Sequence, residues 1–92
     1  MKTFTEESAR PFLEKLKGWH FKENAIEKDF KFTNFTQALG FIVQVGVFSE
    51  KMNHHPELFN VYNKVKIRLN THDAGGVTTK DIELAGQIEN LI

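Results

Sequence analysis

The chain has 92 residues, 40% of them hydrophobic, which is enough for one domain with a core that folds and small enough to profit from a partner subunit. Twelve basic and twelve acidic residues cancel, and no Lys/Arg cluster exceeds two residues, so neither nucleic acid nor an anionic membrane is an expected partner and a small substrate is. The absence of cysteine excludes a disulfide framework, a thiolate nucleophile and a Cys-based zinc site; no secretory pattern opens the chain and no apolar run approaches the ~18 residues of a membrane span, so the expectation is a soluble cytoplasmic protein.

No linker, repeat or low-complexity stretch interrupts residues 1–92, which read as a single domain. The stretch FLEKLKG predicts a short helix with Phe12, Leu13 and Leu16 on one face and Gly18 as its stop. Pro11 leaves its start open between Thr5 and Pro11, because proline suits a first helical turn and disfavours helical geometry in the residue before it. From Gly18 the period becomes two. Trp19 and Phe21, a turn at KEN, then Ile26, Lys28, Phe30 and Phe32 describe a hairpin. Asn34 is placed to cap a long helix, with Gln37 in the capping-box position. Its apolar residues Phe35, Leu39, Ile42, Val45, Phe48 and Met52 are expected against the sheet, and a second row of Phe41, Val43 and Val47 widens the stripe. That width fits a deeply buried helix or one shared with another subunit.

After NHHPE the period returns to two. Phe59 and Val61, a turn near Asn63 and Lys64, and Val65, Ile67 and Leu69 alternating with Lys66, Arg68 and Asn70 form a second hairpin. The loop DAGGV leads to a last helix capped by Thr78, with Asp81 in the reciprocal position and Leu84, Ala85, Ile88 and Leu91 on its buried side. The expected architecture is α+β, a four-stranded antiparallel sheet with three helices packed on one face in the order α-β-β-α-β-β-α.

Three of the four histidines fall in NHHP (53–56) and THD (71–73). His54 and His55 follow the long helix and precede Pro56, so the chain there turns extended and sends adjacent side chains in different directions. If the last strand runs on to His72, that residue shares the parity of Lys66 and Arg68 and points away from the core. Two alternatives stand beside a catalytic role: a histidine pair that caps a helix C-terminus, and a zinc site completed by Asp73 or Glu50, for which adjacent histidines are poor geometry. His20, alone in a strand, reads as structural.

Glu50, three residues, His54-His55-Pro56, five residues, Tyr62, nine residues, His72, eight residues and Asp81 together resemble the signature of the pterin-4a-carbinolamine dehydratase family. NVYNKV and TKDIELA extend the resemblance over essentially the whole chain. It implies removal of water from a 4a-hydroxytetrahydropterin to give the quinonoid dihydropterin in tetrahydrobiopterin recycling, with no metal and no organic cofactor. The nitrogen lone pair beside C4a pushes hydroxide out, and hydroxide leaves well at neutral pH only if an acid protonates it; histidine, whose ordinary pKa is about 6.5, suits that task. By the resemblance His54 and His72 reach the leaving hydroxyl from opposite sides of the ring and His55 binds the ring. Glu50, Pro56, Tyr62 and Asp73 are the expected substrate-binding positions, Glu50 also holding an imidazole in its donating tautomer, and Gly75 and Gly76 line the pocket. Asp81 reads as a helix cap rather than a catalytic group. The family assembles into dimers and tetramers through its long helix, here 35–52, and some animal members double as dimerisation cofactors for a homeodomain transcription factor. An oligomeric interaction module and a binder of a molybdopterin-type ligand are therefore the alternatives to the dehydratase.

Overall fold

A computed structural model describes residues 2–92. The elements run α1 Glu6–Leu13, β1 His20–Lys22, β2 Ala25–Lys31, α2 Phe35–Met52, β3 Glu57–Val61, β4 Lys64–Leu69, a single 3-10 turn at His72–Ala74, and α3 Thr79–Glu89. The strands form one antiparallel sheet in the order β1-β2-β4-β3. This is the α+β arrangement, with the element order, that the sequence predicts.

The helix left open at its start begins early. Thr5 caps α1, its hydroxyl accepting from the Ser8 amide while the Ser8 hydroxyl accepts from the Thr5 amide. Pro11 therefore lies inside the helix. The hydrogen bond it cannot make would go to the carbonyl of Glu7, which is exposed, so water can take its place. Leu13 ends α1, and Leu16 is held in the following turns, not in the helix. Phe12 is exposed and packs edge-on against Phe4 at 5.2 Å instead of joining the core.

Both hairpins close with two residues. Glu23 and Asn24 between β1 and β2 have φ of 49° and 59°, the left-handed geometry that matches the strand twist in a tight turn. Tyr62 between β3 and β4 has φ 52°. The registers Ile26 to Leu69, Lys28 to Ile67 and Phe30 to Val65 put the apolar residues of β2 and β4 on one face, where they meet Phe41 and Val45 of α2 and Leu84, Ala85 and Ile88 of α3.

The inward face of α2 differs from the expected one. Ala38, Phe41, Val45 and Ser49 are buried, flanked by half-buried Ile42, Phe48 and Met52, whereas Phe35 and Leu39 lie outward with Val43 and Val47. Small residues at 38 and 49 let the helix approach the sheet closely, and the Ser49 hydroxyl is satisfied by the Val45 carbonyl at 2.8 Å. Asn34 caps the helix through the Gln37 amide at 2.9 Å; the Gln37 side chain returns one residue further out, accepting from the Thr33 amide.

On the uncovered face of the sheet, Glu27 of β2 lies among Lys22, Lys66 and Arg68, with Arg68 Nη1 2.6 Å from its Oε1. Burial pushes its carboxyl upward, but the Arg68 hydrogen bond and the charges of Lys66, Arg68 and Lys22 together outweigh it and hold the group below its ordinary value of 4.5. With the folded-state value below the unfolded one, the unfolded chain binds more protons in the interval between them, so stability is present above pH 4.5 and is lost as the pH falls through the folded-state value. Glu27→Gln should accordingly flatten the acid limb of a urea-unfolding series, and an acid limb identical to that of the parent would count against this account.

Candidate active site

The end of α2 aims the first two histidines. Asn53 adopts the left-handed conformation (φ 51°), its amide donates to the Glu50 carbonyl at 3.2 Å, and the His54 amide donates to the Ser49 carbonyl at 3.0 Å, which together close the helix in a Schellman-type turn. The chain then becomes extended into β3, and the neighbouring rings diverge. His54 turns inward and is buried; His55 turns outward, its Nε2 2.5 Å from Glu50 Oε1 at an exposed rim.

The third histidine arrives by another route. Strand β4 ends at Leu69, so the strand parity considered for His72 does not apply. Thr71 is buried and paired with Gly76, and the chain between them folds into a 3-10 turn closed by Ala74 and Gly75 amides on the Thr71 carbonyl. Gly75 has φ 73°, a conformation in which a side chain would be strained. His72 is exposed at the start of this turn, and its side chain has no hydrogen-bond partner among the described residues.

One carboxylate ties the two loops together. Asp81 is fully buried. Its Oδ2 accepts from the Thr78 amide at 2.9 Å, the capping-box bond expected from the sequence, and from the Thr71 hydroxyl at 2.9 Å. Its Oδ1 meets His54 Nε2 at 2.5 Å. Because the Thr71 proton goes to Asp81, Thr78 donates to Thr71 across 2.7 Å, and the Thr78 oxygen is left to accept from the Lys80 amide. A carboxylate only accepts, so His54 carries its proton on Nε2 and turns Nδ1 to the remaining surroundings. Asp81 is thus both helix cap and partner of a site histidine; its capping-box spacing was legible, its reach to residue 54 was not.

His54, His55, His72 and Asp73 line one cavity of about 280 Å³. Asn53, Asn70, Thr71 and Lys80 complete its wall, and no local pattern marks these four as site residues. Broader depressions on the uncovered sheet face, walled by Phe59, Lys66 and their neighbours, contain no histidine. Glu50 reaches the cavity only through His55, and Pro56 is half-buried just behind it. Tyr62 is not brought to this cavity. It is 61% exposed in the β3–β4 turn, at the opposite end of a hairpin whose five-residue strand spans roughly 17 Å. His20, opposite Glu27 on the uncovered face, also lies outside it. Among the described residues no group of three His, Asp or Glu side chains is placed to share a metal ion, and no helix is long and apolar enough to cross a membrane.

The fold is thus a small α+β domain whose two inter-element loops bring three imidazoles to the wall of one cavity. Residues 2–91 match the family profile described as pterin 4 alpha carbinolamine dehydratase. The chain belongs to that family. It is 53% identical over 81 residues, 88% of this chain and 85% of the relative, to a protein of Prochlorococcus marinus named "Putative pterin-4-alpha-carbinolamine dehydratase". A protein of Sulfurisphaera tokodaii with the same name is 48% identical over 92 residues, covering 100% of this chain and 99% of its own. The crystal structure of a transcriptional coactivator/pterin dehydratase from Brucella melitensis superposes with a TM-score of 0.92 at 39% identity, covering 98% of both chains.

Replacing Asp81 by Ala strands three donors in the interior and should destabilise the fold by about 3 kcal/mol or more, measured by urea unfolding. Asp81→Asn, which keeps an acceptor for Thr78 and loses the carboxylate facing His54, should cost clearly less; equal losses for the two variants would mean that the pairing with His54 alone matters and the cap does not.

Proposed function

We propose that the protein dehydrates a 4a-hydroxytetrahydropterin to the quinonoid dihydropterin and so serves tetrahydrobiopterin recycling. The observation that carries this reading is the convergence of His54, His55 and His72 on one cavity, in a chain whose family and relatives bear the dehydratase name.

The reaction asks little of a protein beyond proton placement. The C4a–O bond breaks as the N5 lone pair forms the C4a=N5 bond, and the departing oxygen takes a proton and leaves as water. His72 is the donor in this reading, because its ring is exposed in the cavity wall and has no other partner. His54 faces the ring from the other loop with Asp81 behind it, suited to take up the proton released as the quinonoid product forms. His55, steadied by Glu50, and Asp73 hold the pterin at the open rim. Neither a metal nor an organic cofactor enters the scheme.

Assembly through helix 35–52 is the second part of the proposal, as a homodimer or homotetramer. Phe35, Leu39, Val43 and Val47 follow one another at four-residue spacing and are 42–66% exposed, a row of large apolar side chains with nothing of their own chain over it. The name of the Brucella melitensis protein joins a coactivator role to a dehydratase; an interaction role for this chain would use the helix row, whereas the chemistry uses the cavity.

His72→Ala should lower kcat on a 4a-hydroxytetrahydropterin by a hundredfold or more, on the order expected for a positioned general acid, and the His54→Ala, His72→Ala pair should leave only the uncatalysed rate, with the oligomer intact. Survival of dehydration in the pair would end the proposal. Val43→Glu with Val47→Glu should split the assembly, and an unchanged mass in light scattering would refute the shared helix.

A further inference from the structure

His72 lacks a side-chain partner, so the place of its ring depends on the backbone that carries it. That backbone is held from two sides. Toward the interior, Thr71 is bonded to Asp81. Toward solvent the loop 72–76 is met by the N-terminal segment at Thr3 and by the turn between β1 and β2, where Asn24 Nδ2 donates to the Gly75 carbonyl at 2.8 Å. Gly75 in turn donates its amide to the His72 carbonyl at 3.0 Å, so two hydrogen bonds separate Asn24 from the histidine. The approach is close. A Cβ on Gly76 would lie 3.2 Å from Asn24 Oδ1 and 3.2 Å from Thr3 Cγ2, which leaves the loop little room between the turn and the N-terminal segment.

The turn is itself fixed. Asn70 Nδ2 donates to the Asn24 carbonyl at 2.8 Å, and the Arg68 guanidinium reaches the carbonyls of Lys22 and Glu23, each at 3.3 Å. Arg68 is anchored at its other side by Glu27. An exposed two-residue turn needs no such bracing to connect two strands, and the bracing ends at the loop that bears a cavity histidine.

We propose that Asn24 is a positioning residue for His72, an inference that rests on the dehydratase reading for its kinetic consequence and on geometry alone for its structural one. The residue type fits both demands. Asparagine tolerates the left-handed backbone at φ 59°, and its amide supplies the donor that glycine and aspartate lack. Asn24→Gly keeps the turn and removes the clamp; Asn24→Asp sets a carboxylate against the Gly75 carbonyl.

The test compares both variants with the parent by steady-state kinetics on a 4a-hydroxytetrahydropterin, thermal melting and amide hydrogen exchange. Asn24→Gly should lower kcat about tenfold, the effect of one lost hydrogen bond, with KM and melting temperature near those of the parent, and Asn24→Asp should lower kcat further. In a His72→Ala background Asn24→Gly should cause no added loss, and exchange in the parent background should quicken at residues 72–76 alone. Equal kcat in parent and Asn24→Gly, or the same loss with and without His72, would overturn the proposal and leave Asn24 a turn former. If the parent protein fails to dehydrate the pterin, the functional reading falls; unchanged exchange at 72–76 in Asn24→Gly would still overturn the positioning role, and quickened exchange would uphold it.

Discussion

A carboxylate at 0% exposure is an expensive thing to bury, and the fold tolerates Asp81 because three donors converge on it: the Thr78 amide, the Thr71 hydroxyl and the His54 ring. These groups come from the start of α3, the end of the β4 segment and the end of α2. Residues separated by up to 27 positions are thereby fixed to one pair of oxygen atoms, and every buried side-chain polar atom among the described residues finds a partner. Both loops that wall the cavity are tied to the same carboxylate. Remove the carboxylate and the two loops lose their common reference point.

The rest of the architecture serves this juncture. Sheet order β1-β2-β4-β3 puts the end of β4 beside the start of β3, so the loop that follows one and the loop that precedes the other share an edge. Glu57 opposite Arg68 is the last β3–β4 pair at this end of the sheet, and the histidines lie just beyond it. The scaffold is packed around Ile26, Val65, Ile67 and Leu69, and the cavity histidines stand where the strands end.

Local pattern carried the element order, because helix and strand periods are written in neighbouring residues. It carried the caps at Asn34 and Thr78 for the same reason. It did not carry the orientation of α2, whose apolar residues surround most of the helix; which row turns inward is decided by the small side chains Ala38 and Ser49, and hydrophobicity alone passes over them. Spacing in the family signature marked His54, His55 and His72, yet three signature positions divide in space. Asp81 lies at the heart of the network, Glu50 stands one step removed behind His55, and Tyr62 is at the far end of its hairpin. Asn24 was legible only as part of the KEN turn, since a contact across 51 positions has no local signal.

The two tight turns have a consequence for how chains of this kind can change length. Lys22 pairs with Ala25 and Val61 with Lys64, so each connection holds only the minimum of two residues. One inserted residue absorbed into a strand would shift its alternation by a step and send the side chains of Val65, Ile67 and Leu69, or of Ile26 and Phe30, to the wrong side of the sheet. Insertions and deletions within the two hairpins, residues 20–31 and 57–69, are therefore tolerated less than substitutions on their uncovered face are. Variation in size meets no such constraint in the connections on either side of α2, ahead of β1 or beyond α3, where no register is at stake.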